Sequence, residues 1–295
     1  MKIIIACDGS DQSENALRIA ANLPFKDSHF TLVNILPTID YEHVYESPAA
    51  DNEVDRINKR LRKESENLLE KSQQIIKTYG HVCESKIIEG TAVEKLLELS
   101  KSADLIVAGS RGLNPLKSFF LGSVSDALVR HAECSVLLYK SNEEVKIAKK
   151  DSFNLVVGYD DTTASQDACG FLQHFIAKKV EAIDLVSVMQ LSYYYGMSHS
   201  LAAMEVWPQY KQTLDESLGG MQRVLKQEYS FDNINTEIVS DATDISDALN
   251  RYATYRNSDL LIVGSKHKNL VDRIFLGSVS NRLAHHAQVP LLIVR

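Results

Sequence analysis

Short, almost continuously apolar runs alternate with longer segments whose apolar residues recur at helical spacing. The run Lys2–Cys7 is followed by turn residues and then by such a segment, and the same succession continues along the chain. Unbroken apolar strands that alternate with amphipathic helices are typical of parallel sheets covered on both faces. The pattern therefore predicts an α/β fold.

The succession of elements occurs twice. The segment "IIIACDGSDQSENALRIA" (3–20) aligns with "LVVGYDDTTASQDACGFL" (155–172). Further along, "GSRGLNPLKSFFLGSVS" (109–125) aligns with "GSKHKNLVDRIFLGSVS" (264–280). Similarity over stretches of this length indicates an internal repeat, so the chain consists of two homologous units.

A polar segment without apolar periodicity separates the two units. We predict two tandem doubly wound domains at residues 1–140 and 153–295, joined by a linker at 141–152. Each is expected to contain a five-stranded, mainly parallel sheet in the common order 3-2-1-4-5, flanked by helices, and the first helix of the second unit is predicted at Ser165–Ala177. The strands are predicted at Lys2–Cys7, His29–Leu36, Cys83–Glu89, Asp104–Ala108 and Val136–Tyr139, and at Asn154–Tyr159, Ala182–Met189, Asn235–Ser240, Asp259–Val263 and Leu291–Val294.

The composition of the chain mainly argues against certain classes of protein. The 295 residues are 44% hydrophobic and 24% charged, with a formal net charge of -7. An acidic balance argues against broad binding to nucleic acid or to anionic membranes. No apolar run approaches the ~18 residues of a membrane span, and the N-terminus has the pattern of a strand rather than of a secretory signal. We expect a cytoplasmic protein whose four cysteines are reduced thiols.

The unusual residues of the first unit follow two strands that the expected topology brings together. Open parallel sheets bind ligands beyond the carboxyl ends of their strands, where the strand order reverses. In the order 3-2-1-4-5 that point lies between strands one and four. Asp8 follows strand one and Gly109-Ser-Arg-Gly112 follows strand four, which predicts a ligand site in this crevice.

The glycine motif has the form G-x-x-G-x9-G-S, from Gly109 to Ser123. Two glycines directly after a buried strand allow positive φ and a close approach of backbone N–H groups to an anion. Gly122-Ser123 opens a helix, with Ser123 as its expected N-cap, and the first free N–H groups of a helix attract an anion. The motif thus predicts a phosphate site, to which Arg111 can add charge.

A purely structural interpretation of the same residues is a tight turn at the two glycines and a helix cap at Gly122-Ser123, with Asp8 capping the first helix. Their convergence on one predicted crevice favours a ligand site instead. Asp8 can accept hydrogen bonds from ribose hydroxyls, and strand two near Ile35 can offer an apolar wall to a purine.

These residues resemble the universal stress protein A family, whose nucleotide-binding members carry G-x-x-G-x9-G-[S/T]. The resemblance covers nearly the whole chain as two tandem domains and implies ATP binding and a stress-survival or regulatory role. It implies that Asp8 contacts the ribose, that Ile35 contacts the adenine, and that Mg2+ is held mainly by phosphate oxygens. The residues implied for the ribose and phosphates are Gly109, Arg111, Gly112, Gly122, Ser123 and Val124.

The second unit departs from this pattern at one glycine. His267 replaces the glycine that corresponds to Gly112, and Lys266 replaces Arg111. A β-carbon at that position obstructs backbone approach and makes positive φ unfavourable. We therefore expect weakened or absent ATP binding in the second unit, although its other motif positions match. Those positions are Asp160, Val188, Gly264, Gly277 and Ser278.

Three classes of function stay open from the sequence. The first is an ATP-binding regulatory module, the second a slow ATP hydrolase, and the third a scaffold with vestigial sites. The segment "CDGSDQS" (7–13) is similar to the SGGxDS pyrophosphate loop of certain ATP-dependent enzymes, but it contains a single glycine. The histidines His131, His285 and His286 belong to helices before the last strands, where capping or interface roles are expected. At most a weak ATPase activity is expected.

The last strand of each unit is short and apolar, in "SVLLY" (135–139) and "VPLLIVR" (289–295). Exposed strand edges need a partner, and the family pattern implies that two such edges pair. A tandem chain can satisfy this internally as a pseudo-dimer, whereas a further homodimer and the identity of any protein partner stay open. Two tyrosine-rich connections, 39–47 and 192–200, suggest either loop packing or a lid or docking surface.

Overall fold

The computed structural model describes residues 1–37, 48–110, 121–140, 147–190, 201–265 and 277–295. Both tyrosine-rich connections lie outside these residues. Among the residues described, no helix is both long and apolar enough to cross a membrane.

Strands and helices alternate in each unit, as the apolar pattern predicts. The strands are β1 (Lys2–Ala6), β2 (His29–Leu36), β3 (Cys83–Glu89), β4 (Leu105–Gly109), β5 (Ser135–Tyr139), β6 (Phe153–Gly158), β7 (Val180–Gln190), β8 (Ile234–Ala242), β9 (Leu260–Gly264) and β10 (Leu291–Val294). The α-helices are α1 (Asp11–Asn22), α2 (Pro48–Thr78), α3 (Ala92–Ser100), α4 (Ser123–His131), α5 (Thr163–Gly170), α6 (Leu201–Tyr229), α7 (Ile245–Tyr255) and α8 (Ser278–His286).

All ten strands join one continuous sheet in the order β3-β2-β1-β4-β5-β10-β9-β6-β7-β8. Within each unit every neighbouring pair is parallel, and each half has the predicted order 3-2-1-4-5. The predicted α/β fold with two tandem, mainly parallel units is thereby confirmed. Among the strands of the described residues, β5 and β10 form the antiparallel pair, and this pair connects the two halves.

The central strands are apolar on both faces because helices cover both. In β1, Ile3 and Ile5 belong to one buried apolar cluster, whereas Ile4 between them belongs to the other. Successive strand residues point to opposite faces, so an unbroken apolar run supplies both cores at once. The carboxyl ends of β1 and β4 lie side by side in this sheet, because β1 pairs with β4 through Ile5 and Val107.

The first helix of the second unit is shorter than its sequence pattern predicts. The prediction extended it to Ala177, but α5 ends at Gly170 and a 3-10 turn follows at Phe171–His174. Glycine is a poor helix former, and leaving the helix here lets Phe175 reach an antiparallel bridge with Phe25 of the first unit. The two rings lie 4.9 Å apart between centroids.

Backbone hydrogen bonds support this aromatic contact on both sides. The N–H of Lys26 donates to the carbonyl oxygen of His174, and the N–H of Ile176 donates to that of Pro24, each at 2.7 Å. Phe175 is fully buried, at 0% exposure. The two units are therefore joined through a packed aromatic contact as well as through the sheet.

We predict that Phe175→Ala lowers the free energy of unfolding by about 3–5 kcal/mol, since it removes a buried aromatic ring and leaves a cavity between the units. Chemical denaturation monitored by circular dichroism measures the change. Tyr255→Ala is the control, because Tyr255 is 82% exposed and its truncation is expected to change the unfolding free energy by no more than about 0.5 kcal/mol. Equal effects of the two substitutions would contradict the packing role of Phe175.

Candidate functional site

A cavity of about 330 Å3 opens at the carboxyl ends of the first unit's strands. It brings together most of the residues that the sequence singles out. Those lining it are Asp8, Ile35, Gly109, Gly122, Ser123 and Val124, together with Ala6, Cys7, Ser13, Val33, Asn34, Ala92, Leu96, Ala108 and Ser125. Arg111 and Gly112 lie outside the described residues.

Asp8 is exposed just beyond the carboxyl end of β1 and is oriented by the residues that follow it. Its Oδ1 atom accepts hydrogen bonds from the backbone N–H of Ser10 at 2.9 Å and from the Ser10 hydroxyl at 2.6 Å. Ser10, rather than Asp8, caps α1, by accepting from the Ser13 N–H at 3.2 Å. Asp8 thus holds the cap in place, and its Oδ2 atom has no hydrogen bond within the described part of the chain.

Gly109 is required for a different reason from the one expected. Its φ is not positive; instead the first turn of α1 packs directly on it. A β-carbon at Gly109 would lie 2.6 Å from the carbonyl carbon of Gln12 and 2.7 Å from the backbone nitrogen of Ser13. The glycine therefore allows α1 to lie against the end of β4, which sets the width of the crevice.

The N-terminus of α4 forms the opposite side of the cavity. Ser123 was expected as its N-cap, but the N-cap is Gly122 and Ser123 is the first helical residue. The Gly122 N–H donates to the Ser110 carbonyl at 2.8 Å, and the Ser125 hydroxyl donates to the Gly109 carbonyl at 2.6 Å. These two bonds fix the start of α4 against the end of β4.

Within the described residues no side chain caps the N-terminus of α4, in contrast to that of α1. The first N–H groups of a helix have no partner within the helix, and they carry the positive end of its dipole. In α4 these groups belong to the residues at the edge of the cavity, Ser123 and Val124 among them. This end of the helix can therefore accept an anionic ligand.

The remaining wall of the cavity is apolar. Val33 and Ile35 of β2, Leu96 of α3 and Ala108 of β4 supply it, and Ile35 is only partly buried. An apolar wall opposite a carboxylate and a helix N-terminus suits a ligand with one flat apolar part and one anionic part.

Asn34 is a lining residue that the sequence interpretation missed. Its Nδ2 atom donates to the Cys7 carbonyl at 2.6 Å, and this bond determines the orientation of the side-chain amide. Its Oδ1 atom is buried and has no partner among the described residues. An asparagine inside the apolar strand "TLVNIL" (31–36) is the signal that could have revealed it, because buried polar groups normally find partners.

Asp8 supplies the only charge among the described lining residues at neutral pH. The other titratable group that lines the cavity is Cys7, and burial raises the pKa of its thiol to about 12. The thiol therefore stays protonated at physiological pH, so it does not act as a base or nucleophile there.

The second unit repeats the hydrogen bonds of the first-unit site, but a larger side chain and a closer backbone contact occupy two of its positions. Asp160 Oδ1 accepts from Thr162 as Asp8 does from Ser10, and the Ser280 hydroxyl donates to the Gly264 carbonyl at 2.8 Å. Tyr159, however, occupies the position of Cys7, and a β-carbon on Gly264 would lie only 1.9 Å from a backbone oxygen of α5. Lys266 and His267 lie outside the described residues.

Comparison with known proteins gives consistent matches over both units. The model of the universal stress protein family matches residues 1–140 and 153–295. A universal stress protein of Mycolicibacterium smegmatis is 23% identical over 303 aligned positions, which cover 99% of this chain and 96% of that protein. One of Mycobacterium tuberculosis is 29% identical over 217 residues, 72% of this chain and 68% of that protein.

Among solved structures, a universal stress protein from Archaeoglobus fulgidus has a TM-score of 0.69 with this chain. The comparison covers 100% of this chain and 98% of that one at 16% sequence identity. At this identity the likeness shows a shared fold.

We predict that Gly109→Ala destabilises the protein by about 1–3 kcal/mol, because the new methyl group meets the backbone of α1 and must push the helix away. Thermal unfolding followed by circular dichroism measures the effect. Gly170→Ala is the matched control, since a β-carbon there has no heavy atom within 4 Å and alanine favours the helix. A Gly109→Ala variant as stable as Gly170→Ala would contradict the close approach.

Proposed function

Because this chain belongs to the universal stress protein family, we propose that it is a stress-response or regulatory protein that binds ATP in its first unit. The observation that carries the proposal is the cavity itself. An exposed carboxylate at Asp8, an apolar wall at Ile35 and the N-terminus of α4, which no described side chain caps, line one space of about 330 Å3. A nucleotide has one part for each of these features: a sugar for the carboxylate, a flat base for the apolar wall, and phosphates for the helix N-terminus.

In this proposal Asp8 accepts hydrogen bonds from the ribose hydroxyls, and Ile35 packs against the adenine. The phosphates lie at the helix N-terminus, near Gly122, Ser123 and Val124, and beside Gly109. Arg111 and Gly112 join this set on the basis of their motif alone.

Mg2+ is proposed to bind mainly through the phosphate oxygens. Asp8 is the one carboxylate among the described residues that line the cavity, and no group of three or more metal-ligating side chains occurs in the described part of the chain. A hard cation that prefers six oxygen ligands therefore needs the nucleotide to supply most of its ligands, apart from water.

The lining favours binding over hydrolysis. Among the described lining residues there is no histidine, lysine or arginine, Asp8 Oδ1 is engaged by Ser10, and Cys7 stays protonated. A general base within reach of a water at the phosphates is what a hydrolase requires. A regulatory module whose state depends on bound ATP fits this lining better than an ATPase.

We propose that the two units act as an intramolecular pseudo-dimer with one competent site. The antiparallel pairing of Leu137 with Leu292, both fully buried, supports the first part. The replacement of Gly112 by His267 and of Cys7 by Tyr159 supports the second. A cytoplasmic location is proposed as well, because all four cysteines are unpaired.

We predict that the 295-residue chain binds one ATP and that Gly112→His weakens binding at least about tenfold, because a side chain at this glycine blocks backbone approach to the phosphates. Isothermal titration calorimetry measures the affinity. Native mass spectrometry of freshly purified protein measures the stoichiometry and any slow conversion of ATP to ADP.

The mirror substitution His267→Gly is the control, and it is expected to leave the affinity of the first site unchanged. The proposal fails if Gly112→His binds ATP as tightly as the wild type. Two nucleotides per wild-type chain would refute the asymmetry, and multiple turnovers to ADP would favour the slow hydrolase.

A further inference from the structure

Arg295 of the second unit reaches across the interface to the far end of helix α4 in the first unit. Its guanidinium donates hydrogen bonds to the carbonyl oxygens of Val129 and Ala132, and one of 3.4 Å to that of Leu128. Its backbone N–H donates to the Ser135 hydroxyl at 3.3 Å. One residue that follows β10 thereby engages three carbonyl groups at the end of a helix in the other unit.

Two of these carbonyls, those of Val129 and Ala132, lie at the helix end where intrahelical donors run out, whereas the Leu128 carbonyl already accepts from the Ala132 N–H at 3.0 Å. The last carbonyls of an α-helix have no intrahelical donor, and they carry the negative end of its dipole. A guanidinium suits this position because it is a cation with several donors in a planar fork. Arg295 therefore acts as a C-terminal cap for α4, supplied by another domain.

The opposite end of α4 is the end that lines the cavity. Ser125 and Gly122 tie it to the end of β4 through the hydrogen bonds described above. The helix has nine residues, so its two ends are separated by roughly 13 Å of rigid rod. Where Arg295 holds the carboxyl end therefore affects where the first N–H groups lie in the cavity.

A second contact from the same unit supports this. His285 Nε2 of the second unit lies 3.7 Å from Asp126 Oδ1, in the first turn of α4. Arg130 of α4 itself orients the same carboxylate, with its Nε 2.9 Å from Asp126 Oδ2. The second unit therefore touches α4 near both of its ends.

We propose that Arg295 is a positioning residue for the ATP site: by capping α4 from the second unit, it fixes the phosphate-binding N-terminus of that helix in the first unit. The inference rests on the proposed ATP binding and adds a reason for the tandem arrangement. Phosphate affinity in one unit depends on a contact that only the other unit supplies.

The chain offers a matched control through its internal symmetry. Lys140 follows β5 as Arg295 follows β10, and its ammonium donates a hydrogen bond to the His285 carbonyl at the end of α8. Lys140 thus makes the same kind of cap in the reverse direction, on the helix of the unit that we propose does not bind ATP. If these caps only held the interface together, removing Arg295 and removing Lys140 would have the same effect on ATP binding.

The test compares Arg295→Ala, Arg295→Lys and Lys140→Ala in the full-length protein, with calorimetric titrations of ATP and of adenosine. Arg295→Ala is expected to raise the Kd for ATP about fivefold, the size of effect that a partly buried cation at a helix terminus produces. The Kd for adenosine is expected to stay unchanged, because adenosine has no phosphates to meet α4. Arg295→Lys is expected to recover part of the loss, and Lys140→Ala to leave ATP binding unchanged.

Hydrogen exchange of the α4 amides without nucleotide provides a readout that is independent of ATP. Faster exchange at residues 123–131 is expected in Arg295→Ala but not in Lys140→Ala. If the alanine variant does not fold, ATP affinity and hydrogen exchange are compared between Arg295→Lys and the wild type. A smaller loss of ATP affinity is then expected.

The outcomes separate the two proposals. If wild-type protein binds neither ATP nor adenosine, the proposed function fails, while the exchange rates still decide whether Arg295 positions α4. An unchanged ATP affinity in Arg295→Ala overturns the inference, and so does an equal weakening of ATP and adenosine. Equal effects of Arg295→Ala and Lys140→Ala on ATP would reduce both residues to interface contacts.

Discussion

The antiparallel pairing of β5 with β10 is the contact on which the arrangement of both units depends. Leu138 pairs with Leu291 and Leu137 with Leu292, and all four side chains are buried. Pairing two edge strands removes two rows of unpaired backbone groups, and it buries apolar side chains on both faces of the sheet. This register also places Lys140, which follows β5, at the end of α8, and Arg295, which follows β10, at the end of α4.

The cavity of the first unit depends on backbone packing more than on its own side chains. Gly109 lets α1 lie against β4, and Gly122 begins α4 without a capping side chain. Both features leave backbone groups at the edge of the cavity, and Asp8 adds the one carboxylate among the lining residues that the structure describes. A site built from backbone groups is sensitive to a single added β-carbon, which is why a histidine in place of one motif glycine is expected to matter so much.

The sequence predicted the elements and the topology well, because both depend on local periodicity and on general rules for parallel sheets. It also brought Asp8, Ile35, Gly109 and Gly122 to one crevice, since the carboxyl ends of neighbouring strands meet at one edge. The exact helix start was missed: Gly122 is the N-cap where Ser123 was expected. Such a shift of one residue depends on a hydrogen bond to Ser110, which no local pattern reveals.

Long-range packing accounts for the other differences. The helix expected to reach Ala177 ends at Gly170 because Phe175 contacts Phe25 of the other unit. The cap that Arg295 makes on α4 likewise needs the register of β5 with β10, and nothing near Arg295 in the sequence indicates it. These two side-chain contacts between the units were therefore beyond prediction from either unit alone, whereas a pairing of the two edge strands was expected.

The single antiparallel pair at the centre of the sheet has a consequence for how the molecule meets its surroundings. The strands of each unit are parallel to one another, so reversing direction between β5 and β10 directs the carboxyl ends of the two halves to opposite edges of the sheet. Asp8 and Gly109 of the first unit therefore lie at one edge, and their counterparts Asp160 and Gly264 of the second unit lie at the opposite edge. A binding partner that covers Asp8 at one edge of the sheet consequently leaves Asp160 at the other edge uncovered.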